Sequence, residues 1–139
     1  MASYNKNNAW AENQVESANN GSDTFKIYLT ANGSAPVAGN SVLADVTEVS
    51  YTNLSTRTIT TSSSSQSSGT YKLIFTDLVL TASGGSVAAF RYVGVYDDTP
   101  TSPADPLAGW YDYGSALTLA DTETLTIDFD GTNGFYSLS

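Results

Sequence analysis

Most segments of this chain repeat their apolar positions every two residues and not every 3.6, which predicts strands joined by polar turns. The clearest case begins at Thr24: Phe25, Ile27 and Leu29 face one way and Lys26, Tyr28 and Thr30 the other, a half-buried strand ended by Asn32-Gly33. A second alternation runs from Gly69, with Tyr71, Leu73 and Phe75 opposite Lys72, Ile74 and Thr76, and continues through Leu78, Val79 and Leu80 as a more fully buried run that Gly84-Gly85 stops. Val87 to Tyr96 is the most apolar stretch and reads as a central strand buried on both faces, whose Arg91 must reach an edge or pair with a carboxylate. Leu107 to Tyr113 and Thr122 to Phe129 read as neighbouring antiparallel strands, and Arg57 to Thr60 as a brief one.

Helical spacing occurs twice. Trp10, Ala11, Gln14, Val15 and Ala18 fall near one face of a helix, with Asn7 or Asn8 as cap and Gly21 as stop. Such a helix is too short to stand alone, so residues 1–22 either dock or form a loose arm, whose removal is expected to spare the domain at 23–139. Val42, Val46 and Val49, with Ser41 as cap, allow a turn or two. The Ser-rich tract from Thr61 to Gly69 and the Pro- and Asp-rich stretch from Asp97 to Pro106 read as exposed loops. Several short strands separated by turn signals predict a mainly β fold, an antiparallel β-sandwich or jelly-roll-like barrel with a short N-terminal helix or arm.

Composition narrows the function classes. The 139 residues suit one domain, and an aromatic content of 12% with nine Tyr supplies a packed core that disordered chains lack. The formal charge is −9, and the five basic residues, Lys6, Lys26, Arg57, Lys72 and Arg91, are scattered and form no stripe for phosphates, so neither nucleic acid nor an anionic membrane is an expected partner. No apolar run approaches the roughly 20 residues of a membrane helix. Met1 to Gln14 shows no secretory pattern, which predicts synthesis in cytoplasm. Cys and His are both absent. Disulfides, thiolate nucleophiles, Ser-His-Asp and Cys-His arrangements therefore fall away, and no cofactor is expected.

What chemistry remains belongs to carboxylates and aromatic rings. Asp97, Asp98, Asp105, Asp112 and Glu123 are the candidates for a two-carboxylate hydrolase, which needs an acid and a base about 5 to 10 Å apart; the plain alternative is solvated loop carboxylates. Asp128-Phe-Asp130-Gly-Thr132-Asn-Gly has oxygen ligands at alternate positions, yet Asn133 stands where a calcium loop of the EF-hand type requires glycine, and the segment reads as a strand end followed by a turn. Trp110, Tyr111 and Tyr113, with Tyr92 and Tyr96, divide between core and a contact surface or sugar-stacking platform. Together with Trp10 and Val15 they are the interface candidates.

The order of segments carries a resemblance. A short amphipathic stretch leads to Asp23-Thr-Phe-Lys-Ile-Tyr-Leu-Thr30, then Asp45-Val-Thr-Glu-Val49, Tyr51, Thr70-Tyr-Lys-Leu-Ile-Phe-Thr-Asp77, Phe90-Arg-Tyr-Val-Gly-Val-Tyr-Asp97, Ala108-Gly-Trp-Tyr-Asp-Tyr-Gly114 and Leu125-Thr-Ile-Asp-Phe129. This resembles the small virion structural proteins of tailed bacteriophages, among them capsid decoration or cement proteins and head-fibre-like proteins. The resemblance implies a non-enzymatic β-sandwich that assembles as a homo-oligomer, a trimer by expectation, on the outside of the virion capsid, with the major capsid protein as partner. The Ser tract and the Pro-rich loop depart from the family pattern. A tail or fibre component touching the host surface is the neighbouring alternative, and a carbohydrate-binding module the alternative from another class.

Overall fold

The N-terminal segment holds the expected short helix, docked on the domain, and adds a strand before it that the sequence reading lacks. In a computed structural model that describes residues 2–139, Tyr4–Lys6 forms a strand, β1, before the helix α1 at Trp10–Glu16. β1 pairs antiparallel with β8 (Leu107–Leu117), Tyr4 opposite Tyr111 and Lys6 opposite Gly109. Trp10 is 3% exposed and packs edge-on against Phe25, Phe135 and Tyr136. Removing residues 1–22 would therefore strip a sheet edge and a core aromatic, contrary to the expectation that the fold survives without them.

The helix is also turned and capped differently. Its buried side carries Trp10 and Asn13, while Val15 is 88% exposed, so the Trp10–Ala11–Gln14–Val15–Ala18 stripe is not the docked face. Ala9 precedes the first turn without a side-chain cap. Asn7 is fully buried and serves elsewhere, its Nδ2 donating to the carbonyls of Val37 (3.1 Å) and Asn40 (2.8 Å) and so fastening the loop before the next segment. That later segment makes only one 3₁₀ turn, Leu43–Asp45, capped by the Asp45 carboxylate accepting from the Ser41 and Val42 N–H groups, not by the Ser41 hydroxyl.

The strands are antiparallel throughout and divide into three sheets. The largest has the order β1-β8-β7-β2-β3, with β2 at Phe25–Thr30, β3 at Thr58–Ile59 and β7 at Phe90–Asp97. β4 (Thr61–Ser67), β5 (Thr70–Phe75) and β10 (Tyr136–Leu138) form the second, in the order β10-β5-β4. β6 (Leu78–Thr81) and β9 (Thr124–Ile127) form the third. The main core draws on all three: Phe25, Ile27, Leu29, Val93 and Val95 meet Leu73 and Phe75 from the second sheet and Leu78, Leu80 and Ile127 from the third. Burying each such side chain contributes about 1.5–3 kcal/mol.

Several sequence expectations change here. β7 is central and buried on both faces, as its apolar run requires. Its neighbour β2 is buried on both faces too, and not half-buried: Tyr28 and Thr30 are fully enclosed because Tyr96, Leu107, Leu43 and Val46 cover the second face in a smaller cluster. The Ser tract is a strand, β4, since backbone pairing with β5 needs no apolar side chain, and Ser68 and Gly69, both at positive φ, close a two-residue hairpin turn. Val79 is half exposed, so β6 alternates where a buried run was expected. β9 pairs with β6 and not with β8, whose neighbours are β7 and β1. Arg91 finds its carboxylate, Asp112, across the β7–β8 pair.

Candidate functional site

Of the seven aromatic and apolar candidates, Trp10, Tyr92, Tyr96 and Trp110 lie inside, at 3 to 9% exposure. Tyr111 is half-buried under Tyr4, ring centroids 5.3 Å apart. Tyr113 and Val15 are exposed, on two different surfaces. Trp110 and Tyr111 thus offer little free ring face for stacking a sugar. The burial of β8 explains the division: Leu107 to Trp110 are buried in succession, and beyond Tyr111 the strand runs past the end of β1 into solvent.

Two grooves mark the exposed apolar surface. One, of about 270 Å³, lies between the free edges of β1 and β10: Trp10 and Phe135 form its floor, and Tyr4, Val15 and Leu138 its walls. Val15 is 88% and Leu138 59% exposed, an unusual pairing for large aliphatic side chains beside a fully packed Trp. Among the described residues the only basic side chain in the groove is Lys6, and no carboxylate lines it. The second, of about 230 Å³, is bounded by Val93, Tyr111, Tyr113, Leu125 and Ile127 between β8 and β9. Neither Leu138 nor the edge strand β1 was singled out from sequence; three-residue strands at a chain end carry too few positions to show a period.

The five candidate carboxylates do not form one site: Asp97, Asp98 and Asp105 lie near one another where β7 ends, while Asp112 stands opposite Tyr92 on β8 and Glu123 in the turn before β9. Asp112 receives both Nε and Nη2 of Arg91, at 2.8 and 2.9 Å, and that hydrogen bonding holds its carboxyl below the usual range. Asp98 pairs with Lys26 Nζ at 2.7 Å. Glu123 accepts from the Ala120 N–H at 2.8 Å and so shapes a turn. Burial first, and then the Asp98 charge, raise Asp105. Among the described residues no three acidic side chains gather into a metal-holding cluster.

Asp97 differs from the rest. It is fully buried at the end of β7, opposite Phe25 of β2, and its Oδ1 accepts from the Thr99 N–H at 3.1 Å. Desolvation, followed by a side-chain hydrogen bond with Asp23, pushes its carboxyl up to about 7. Asp23 escaped the sequence reading because its closeness to Asp97 follows from the β2–β7 register, which spacing along the chain does not reveal. The Asp128–Gly134 segment is a turn: Asp130 Oδ1 accepts from the Thr132 and Asn133 N–H groups at 2.9 and 2.8 Å, and these bonds lower its carboxyl.

A further polar cluster braces β2. Arg57 Nη1 donates to the Ile27 carbonyl at 2.8 Å, approaches Glu48 at 3.7 Å and lies over the Tyr51 ring, whose hydroxyl donates to Glu48 and accepts from the Leu29 N–H at 3.0 Å. Every one of these groups is occupied in holding strand ends together. No helix among the described residues is long and apolar enough to cross a membrane. Comparisons with protein-family models, curated proteins and solved structures find no match to this chain.

Proposed function

We propose that this chain is a non-enzymatic virion structural protein of a tailed bacteriophage, a capsid decoration (cement) protein that binds the outside of the head. In this reading the three sheets are parts of one jelly-roll-like β-sandwich, the main core lying between the five-stranded sheet and the other two. The protein acts as a homo-oligomer, with a trimer as the assembly that its resemblance implies, and the major capsid protein is its partner.

The observation that carries the proposal is the β1–β10 groove with Val15 and Leu138 beside it. A chain with formal charge −9 is repelled by most acidic surfaces, yet this face has no lining carboxylate among the described residues and presents aliphatic side chains on a rigid aromatic floor. That is the composition of a contact surface: apolar anchors at the centre and a polar rim. Weak contacts of this kind become firm attachment when many copies bind one shell. Asp112, Asp98 and Glu123, by contrast, are spent on Arg91, Lys26 and the Ala120 N–H.

Gold-labelled antibody against the chain on intact particles of the source phage tests the location. Label over the head is expected; label confined to the tail tip would replace this reading with the host-contact one. The face is tested by Val15→Asp with Leu138→Asp. Both sites are exposed, so thermal stability should stay within a few degrees of the parent while attachment to heads is lost. Full attachment of the folded double variant would refute the assignment of this face.

A further inference from the structure

Asn-Gly occurs in this chain at Asn20-Gly21, Asn32-Gly33 and Asn133-Gly134, and the first two both continue into Ser. In such a pair the backbone nitrogen of Gly can attack the Asn side-chain carbonyl carbon and shut a five-membered ring. The reacting atoms are held close by the chain itself, and the missing β-carbon of Gly leaves the approach open. Asn20-Gly-Ser22 and Asn32-Gly-Ser34 are the same tripeptide, so any difference in their reactivity has to come from the fold.

The fold leaves Asn32 open. Asn32 and Gly33 are exposed in the turn that leaves β2, where the Ser34 N–H donates to the Ala31 carbonyl at 2.9 Å. Among the described residues the Gly33 N–H donates to no partner, and nothing lies within 4 Å of the place a β-carbon on Gly33 would take. Arg91 Nη1 donates to Asn32 Oδ1 at 3.0 Å, while Nε and Nη2 of the same guanidinium are fixed on Asp112. A cationic donor on that oxygen polarises the amide and is in place for the oxyanion that forms when its carbon is attacked.

The other two pairs are held shut. Asn20 Nδ2 donates to Gln14 Oε1 at 2.8 Å, and its Oδ1 is buried with no donor to polarise it. At Asn133 the obstacle is the nucleophile: the Gly134 N–H donates to the Asp130 carbonyl at 3.1 Å. The Asn133 amide also donates to Asp130 Oδ2 at 2.9 Å, which sets a carboxylate against the developing negative charge.

We propose that Asn32 is a self-modifying site, which the fold selects from the Asn-Gly pairs for deamidation with water as the only co-reactant. The Gly33 nitrogen gives its proton to solvent and bonds to the Asn32 side-chain carbonyl carbon; the bond from that carbon to Nδ2 breaks, and ammonia leaves. Water then opens the resulting succinimide at either carbonyl, giving aspartate or isoaspartate. One water is consumed and one ammonia released, with no oxidant or reductant. A carboxylate replacing one neutral amide takes the formal charge from −9 to −10 and places the new charge beside Arg91. The isoaspartate product also lengthens the backbone of the turn between Ala31 and Ser34. This site does not depend on what the Val15 face binds, and its test involves no particles.

Peptide mapping by mass spectrometry follows amide-to-acid conversion at Asn20, Asn32 and Asn133 in the full chain, aged in mildly alkaline buffer with and without concentrated urea. In the folded chain Asn32 should convert at least about tenfold faster than the other two, and in urea Asn20 and Asn32 should converge. Chromatography should resolve both acids at position 32; aspartate without isoaspartate would mean direct hydrolysis and overturn the ring. Gly33→Ala has room for its methyl group, and should slow conversion at Asn32 at least about tenfold while leaving Asn20 unchanged. Arg91→Lys, checked for an unchanged near-ultraviolet circular dichroism spectrum, should slow Asn32 alone; an unchanged or faster rate would overturn the part given to the guanidinium. Asn20 or Asn133 keeping pace with Asn32 in the folded chain, or the same lead of Asn32 in urea, would overturn selection by the fold. Neither of those readings requires a variant to fold.

Discussion

β7 and β4 have eight and seven residues, pair with antiparallel neighbours, and are held by different forces. In β7 all but Arg91 are buried, and the strand has β8 on one side and β2 on the other. In β4 no residue is buried and only β5 pairs with it. β7 is a strand because its side chains leave water; β4 is one because its neighbour supplies hydrogen bonds and the Ser68-Gly69 turn returns the chain in register. Backbone bonds contribute only about 0.5–1.5 kcal/mol each, so a strand that rests on them opens more readily than one locked by packing.

The largest effect should come from emptying the β7 core. Phe90 is fully buried, and Phe90→Ala is expected to cost about 3–5 kcal/mol in urea denaturation, enough to leave a marginal domain. A loss below about 1 kcal/mol would mean that burial does not hold this strand. Next is overfilling. Gly94 lies opposite Tyr28, and a methyl group there would collide with the Tyr28 ring, itself enclosed on every side. Gly94→Ala should therefore cost about 1–3 kcal/mol, although the exchange normally favours strands.

The same contrast decides what could be read from sequence. The period of two located β2, β5 and β9, and an unbroken apolar run located β7, because burial is what both patterns record. β4 was hidden because hydroxyl side chains record nothing, although Ser-Gly at its turn was a usable signal that composition outweighed. β1 and β10 were too short to show a period. The pairing of β9 with β6, the second cover over Tyr28, and the meeting of Asp23 with Asp97 all depend on register between distant segments. Residue types identified the acidic and aromatic candidates; which of them touch is a property of the topology alone.

The turn of the β4–β5 hairpin gives the third test. Gly69 has φ +82°, a region that costs a β-carbon about 1 kcal/mol, and open space surrounds it, so Gly69→Ala isolates backbone strain from packing. The loss should show in urea midpoints and as faster exchange confined to β4 and the facing amides of β5. A global rise in exchange would mean that β4 unfolds with β7 as one unit, and the contrast between the two strands would fail.

The smallest expected change has the opposite sign. Ser65 is exposed on β4, opposite Lys72, with its hydroxyl 3.2 Å from that of Ser63. If β4 is held by its backbone, no side chain there is optimised, and a residue better suited to extended structure has room to help. Ser65→Thr keeps the hydroxyl and adds a β-branch, and should stabilise the chain by about 0.3–0.5 kcal/mol. The gain should appear as protection within the hairpin, leaving β7 exchange unchanged. A loss of similar size would show that the Ser63–Ser65 contact is specific and that side chains, not backbone pairing alone, set the stability of this edge.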